Sequence, residues 1–230
     1  MLILFDIDAT LLTTGGMGIH AMQRAGTALF GPACNATGVA VAGRLDPLIM
    51  RDMLARAGLA PEPQRMAQFR VAYEAEMERV FARPHDGRVL PGVPDLLETL
   101  SGIEGVTLGL LTGNFDGTGK LKLRSVGLDP SRFALGAWGD DSPHDPPART
   151  HLPPVAVERY RKHRGSDPAS VVIIGDTPHD VECAKVNGHR ALGVATGQFS
   201  VAELESCGAD LALADLSQTD AVVSWLLGRR

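Results

Sequence analysis

Residues 1–12 read MLILFDIDATLL, an apolar run followed by two acids, Asp6 and Asp8, set two positions apart. Successive side chains of a strand point to opposite faces, so the two carboxylates leave the end of this run on the same side. Alone, such a pair is more often a cap or a turn. With no basic leader ahead of its apolar residues, the stretch reads as a strand and not as a signal peptide or an anchor.

Similar short apolar runs recur at Val106 to Leu111, Val171 to Ile174, Ala191 to Ala195 and Leu211 to Ala214, mostly bounded by Gly or Asp. Helical spacing fills the intervals at Gly117 to Val126, Leu152 to His163, Asp180 to Val186, Val201 to Glu205 and Ser217 to Leu227. This alternation predicts an α/β fold with a parallel sheet covered by helices on both faces. Between about Gly18 and Ala82 it stops. There only helical periodicity is found, at His20 to Leu29, Pro47 to Ala57 and Pro63 to Phe81. The flanks are rich in breakers, Gly15, Gly16 and Gly18 on one side and Pro84, Gly87, Pro91 and Gly92 on the other. A helical insertion after the first strand, with hinge-like edges, is expected.

Composition agrees with a globular chain. Its 230 residues suit one domain carrying an insertion, 44% are hydrophobic and 21% charged, and only 5% are aromatic, so the core must come from Leu, Val, Ile and Ala. The net charge of −5 has no run of like charges to track a phosphate backbone or an anionic surface. Neither nucleic acid nor membrane is expected as a partner, and the apolar runs are too short for a span. Cys34, Cys183 and Cys207 have no metal or disulfide spacing; each is expected as a small buried hydrophobe in a reducing cytoplasm.

The second strand ends at Leu111-Thr112-Gly113-Asn114 and the third at Gly175-Asp176-Thr177, with Asp180 four residues after Asp176. All carboxyl ends of a parallel sheet lie at one edge, where open α/β sheets bind ligands. Thr112 alone would be an N-cap and Asp180 a first-turn acid. Together with Asp6, Asp8 and Asp176, however, they would crowd carboxylates that repel one another unless a cation sits among them. Hard oxygen donors suit Mg²⁺.

These residues resemble the haloacid dehalogenase superfamily. DIDATLL (6–12) is similar to its first motif, LLTGN (110–114) to its second and GDTPHDVECAKVNG (175–188) to its fourth, in the family's order, and the insertion lies where its C1 cap is found. The resemblance implies a Rossmann-like core at residues 1–13 and 88–230 and a helical cap at 14–87. It implies Asp6 as a nucleophile that becomes an aspartyl-phosphate, and Asp8 as general acid and base. Thr112 would hold the phosphoryl oxygens, and Mg²⁺ would be held by Asp6, the Asp8 carbonyl and Asp176, with Asp180 a further ligand or a partner behind them. Asp8 speaks for phosphate chemistry, since the family's true dehalogenases have no acid there. The phosphonate-cleaving branch needs a cap lysine, and residues 14–87 contain none.

Two positions depart from the pattern. Ala9 stands where the family usually has Gly, at about 1 kcal/mol if φ is positive. The third motif's lysine is missing, and in ARTHLPPVAVERY (148–160) Arg149 is the expected substitute, with Lys120 or Lys122 on the preceding helix as the alternatives. Arg44 and Asp46, in GRLDP (43–47), either face the substrate or cap the next helix. His144, His151, Asp140, Asp141 and Asp145 fall in a proline-rich loop with no zinc spacing and are expected to be solvated. The function expected is Mg²⁺-dependent hydrolysis of a small phosphorylated metabolite, most similar to phosphoglycolate phosphatases, by a monomer or small homo-oligomer. A phosphomutase of the β-phosphoglucomutase kind shares the same residues; a phospho-acceptor module is a lesser alternative.

Overall fold

The computed structural model describes residues 1–228; the last two residues of the expected core, 229 and 230, lie outside them. β1 (Leu2–Phe5) is fully buried, with Leu2 and Leu4 toward one face and Ile3 and Phe5 toward the other. A short β2 (Leu12–Thr13) leads into three helices, α1 (Met17–Phe30), α2 (Asp46–Arg56) and α3 (Pro63–Phe81). The chain returns through β3 (Arg88–Val89) and α4 (Val93–Ser101) to β4 (Thr107–Leu111), α5 (Asp116–Ser125) and β5 (Leu135–Ala137). A 3-10 turn at Arg149–His151 opens onto α6 (Leu152–Arg164), β6 (Val171–Gly175), α7 (Pro178–Val186) and β7 (Arg190–Val194). Last come α8 (Val201–Ser206), β8 (Leu211–Leu213) and α9 (Thr219–Leu226).

Six strands form one parallel sheet in the order β5-β4-β1-β6-β7-β8. One face packs on α4, α5 and α9 through Leu96, Leu123 and Val222, and the other on α6, α7 and α8 through Ala156, Val181 and Leu204. Apolar burial on both faces is why β1, β4 and β6 read as continuous runs and not as alternations. The chain moves from β1 to one side of the sheet and later to the other, so the crevice for a ligand opens at the carboxyl end of β1.

The three inserted helices close on their own core of Ala21, Met22, Met50, Met53, Phe69, Tyr73 and Met77, joined by Phe115 from the sheet side. At the breaker-rich edges the structure finds an antiparallel ribbon in place of bare hinges, Leu12 opposite Val89 and Thr13 opposite Arg88. It ties the way into the insertion to the way out. α4 and β5 were not expected either. α4 begins with a proline in its first turn, a position that needs no N–H donor, and β5 is a three-residue edge strand with a central glycine, too short to show a period. Cys34 and Cys183 are buried, but Cys207 is exposed because it ends the short surface helix α8. No helix among the described residues is long and apolar enough to cross a membrane.

Candidate active site

Register places the site. Phe5 stands between Leu110 and Ile174, so the residues just beyond them, Asp6, Thr112 and Asp176, come out side by side at the sheet's carboxyl edge. Asp8 follows on the tight turn after β1. That turn puts Ala9 at φ +55°, so the position does take the left-handed conformation that Gly adopts more readily.

Asp6, Asp176 and Asp180 each offer an oxygen within 4.8 Å of the others, and all three are buried. Arg149 enters this group from its 3-10 turn. Its Nη2 lies 2.6 Å from Asp180 Oδ1 and 3.0 Å from Asp6 Oδ1, and also donates to the Leu111 carbonyl, while Nη1 donates to the Gly43 carbonyl of the insertion. Burial pushes the Asp6 carboxyl up to about 6, against the pull of Arg149 and with the help of Asp180 and Asp8. It pushes Asp176 up to about 8, with Asp180 and Asp6 adding to the rise. Burial works against the charge on Arg149, but Asp180 and Asp6 outweigh it and hold the guanidinium far above its usual range. Asp180 is committed on both oxygens: Oδ2 accepts from the Thr177 N–H and hydroxyl in a capping box on α7, and Oδ1 takes Arg149.

A second cluster surrounds Asp8. Lys122 Nζ, on the buried side of α5, donates to Asp8 Oδ2 at 2.6 Å and to Asn114 Oδ1 at 2.6 Å. Asn114 Nδ2 donates to the same Asp8 oxygen and to Thr112 Oγ1, both at 2.8 Å. Asp8 Oδ1 is left without a protein partner among the described residues. Thus Arg149 and Lys122 are both in the site, on different acids. Lys120 is not, being half exposed and paired with Asp116. Asn114 is a site residue that the sequence reading places only at the end of a strand; its signal is its place two residues after Thr112, which returns its amide over the same edge.

A cavity of about 280 Å³ lies between this edge and the inserted helices, bordered by Asp6, Asp8, Thr112, Arg149 and Asp176 from the sheet and by Asp46, Ile49 and Tyr73 from the insertion. The segment carrying Gly43 to Asp46 closes it. Asp46 N donates to the Gly113 carbonyl at 2.7 Å, and a Cβ on Gly113 would lie 2.0 Å from the Arg44 carbonyl, so only Gly allows this approach. In the proline-rich loop the acids serve ion pairs: Asp140 with Arg70, Asp145 with Arg51 and Asp141 with Arg159.

The carboxylates fit a divalent cation. Asp176 has one weak partner, the Thr10 hydroxyl at 3.4 Å, and Asp6 Oδ2 has no side-chain partner among the described residues. A Cβ on Gly197 would lie 1.8 Å from Asp176 Oδ2, so only Gly lets the backbone pass this close to the carboxylate. One guanidinium faces three acids, and hard oxygen donors with spare lone pairs suit Mg²⁺.

A family model described as haloacid dehalogenase-like hydrolase matches residues 3–185. The chain is 29% identical to "Probable phosphatase IndB" of Dickeya dadantii over 89% of its own length and 85% of that protein's. Its fold is similar to that of a hydrolase from Pseudomonas syringae (TM-score 0.70, 20% identity, 98% of each chain). It is similar also to a predicted phosphoglycolate phosphatase from Haemophilus somnus (TM-score 0.69, 18% identity, 96% of this chain and 97% of the other). With four fifths of its length inside the family model and its acids gathered at one sheet edge, the chain belongs to the haloacid dehalogenase-like hydrolases.

Proposed function

We propose that this hydrolase is a Mg²⁺-dependent phosphatase that cleaves a small phosphate monoester through an aspartyl-phosphate on Asp6, as the phosphoglycolate phosphatase-like members of the family are expected to do. The observation that carries the reading is the division of labour between two acids two residues apart. Asp6 is buried against Arg149, whereas Asp8 is held by Lys122 and Asn114 through one oxygen only. Asp6 attacks phosphorus in line, and the ester oxygen leaves with a proton from the free Oδ1 of Asp8. Asp8 then takes a proton from a water that attacks the phosphoryl group, which returns the Asp6 carboxylate and inorganic phosphate. Thr112 and the backbone beside it bind phosphoryl oxygens, and Arg149 offsets the charge that builds on Asp6 and the phosphoryl group. Asp6, Asp176 and the Asp8 carbonyl would hold Mg²⁺, with Asp180 behind them orienting Arg149; when bound, the ion neutralises phosphoryl charge and aligns the attack.

In this reading residues 14–87 are a cap over a core of residues 1–13 and 88–230, and the cavity is the closed site, from which water is excluded while the substrate is held. A phosphomutase would use the same acids but return the phosphoryl group to a second hydroxyl. Acid-quenched protein should carry one phosphoryl group on the peptide containing Asp6, inorganic phosphate should be released, chelation should stop release and Mg²⁺ restore it. Asp6→Asn should abolish both label and release while remaining folded. Full release by folded Asp6→Asn, or in chelator, refutes the mechanism, and isomerisation without release assigns the mutase.

A further inference from the structure

Beyond the phosphoryl end, the charges of the cavity are already committed. Arg149, Lys122 and Arg44 are its three cationic lining residues. Arg149 is taken by Asp6 and Asp180, Lys122 by Asp8, and Arg44 by Asp52 on α2 at 2.5 Å. Asp46 is the lining carboxylate that the proposed chemistry does not use. It opens α2 and is only 7% exposed. Its Oδ2 accepts one long bond, from Phe115 N at 3.3 Å, and its Oδ1 accepts none among the described residues. The carboxylate borders the cavity beside the Tyr73 ring and apolar Met22 and Ile49, with one oxygen accessible and unclaimed by protein donors among the described residues.

We propose that Asp46 reads the leaving group by accepting a hydrogen bond from a substrate hydroxyl, so that the substrate is the monophosphate of a small neutral polyhydroxy alcohol. The inference rests on the phosphatase reading and narrows it. A carboxylate or second phosphate on the leaving group would meet Asp46 in a poorly solvated space where each cation already has an acid, and like charges so placed select against a ligand. A hydroxyl instead satisfies the open acceptor. With about 280 Å³ to hold phosphoryl group and alcohol together, a leaving group of a few carbons fits, since small-molecule sites start at about that size.

Glycerol 3-phosphate and 3-phosphoglycerate share a carbon skeleton and differ by a hydroxymethyl group against a carboxylate. Phosphate release from each is to be measured with Mg²⁺ at about pH 8, above the value of about 7 to which burial pushes Asp46 with Lys122 opposing. Phenyl phosphate serves as a reporter of the chemistry itself. The expected kcat/KM favours glycerol 3-phosphate by about tenfold or more, and Asp46→Asn should shrink that ratio by about the same factor. If phenyl phosphate turns over but glycerol 3-phosphate is no better than 3-phosphoglycerate, the inference is overturned; the wild-type ratio decides this even if the variant does not fold. An unchanged ratio in folded Asp46→Asn overturns it too. No turnover of phenyl phosphate removes the phosphatase reading, and the inference with it.

Discussion

Replacing Arg149 by Ala strands Asp6 and Asp180 in a buried site. At the observed 3.0 Å to Asp6, the Coulomb attraction is about 6 kcal/mol at an effective dielectric of about 20, most of it offset by desolvation of the guanidinium. What truncation exposes is the cost of leaving the acids unpaired, about 3–5 kcal/mol. For a domain of this size that lowers the melting temperature by about 6–20 °C, and less when Mg²⁺ is present to take over the charge. Below the variant's melting temperature, kcat for phosphate release should fall by about 100-fold or more, the scale of one lost charge-stabilising donor. The acid limb of the rate profile should also move to higher pH, because Arg149 is what restrains the rise of the Asp6 carboxyl. Arg149→Lys should recover part of kcat: it returns the charge, but one ammonium cannot hold Gly43, Leu111, Asp6 and Asp180 together as the fork does. Lys120→Ala, in a pair outside the site, should behave as wild type. A folded Arg149→Ala enzyme with unchanged kcat and an unmoved acid limb refutes the placement of Arg149 on the nucleophile.

Two further outcomes follow from the buried acids and the strained turn. Asp6, Asp46 and Asp176 are pushed up to about 6, 7 and 8, mainly by burial, so the folded chain binds protons more tightly than the unfolded one. Metal-free protein should therefore lose stability as pH rises from about 4 to about 8, by at most about 1.4 kcal/mol per pH unit for each group while it titrates. Mg²⁺ should flatten the part due to Asp6 and Asp176; urea midpoints at about pH 5 and pH 9 check this, and a higher metal-free midpoint at the alkaline end contradicts it. Ala9→Gly relieves about 1–2 kcal/mol of left-handed strain at φ +55° and gives back about 0.4–1 kcal/mol through the freer unfolded chain. A net gain near 0.5–1 kcal/mol should appear as a small rise in melting temperature, and a fall would mean that the turn is not strained by its Cβ.

The sheet was legible because its strands are buried on both faces: a continuous apolar run ending in an acid marks both the strand and the edge where it stops. The inserted helices were legible by periodicity, and α3 has the expected bounds, Pro63 to Phe81. β2 and β3 were not, since two-residue strands carry no period and owe their pairing to each other. At the site, Asp6, Asp8, Thr112 and Asp176 could be brought together from strand ends alone, because parallel register aligns them. Arg149 and Lys122 could only be ranked as competitors. No spacing rule tells that a loop arginine turns back onto β1 while a helix lysine reaches Asp8, and the structure holds both. Asp46 had equal claim to capping and to the substrate. It does share in closing the insertion on the sheet side, through its backbone N–H and one long bond to Oδ2, which leaves Oδ1 free for the cavity.

Closure of the inserted segment and alignment of the acids depend on the same atoms. Arg149 Nη1 donates to the Gly43 carbonyl, and its Nε has no partner among the described residues. Moving the segment away would leave the guanidinium with two unmet donors, and an unmet buried donor costs about 1–3 kcal/mol unless water reaches it. Opening must therefore admit water to Arg149, and with it to Asp6, or release Arg149 from its place. On the neighbouring loop, Gly113 carries the contact to Asp46 N and Arg44 and sits next to Thr112, so displacement of the segment would also free the loop proposed to bind the phosphoryl group. In the proposed mechanism an open form would therefore have a hydrated, loosely held Asp6 and a closed form a dry, aligned one. On that reading, substrate that fits under the inserted helices would bring the acids into working order, which would tie selectivity for the leaving group to the rate of attack on phosphorus.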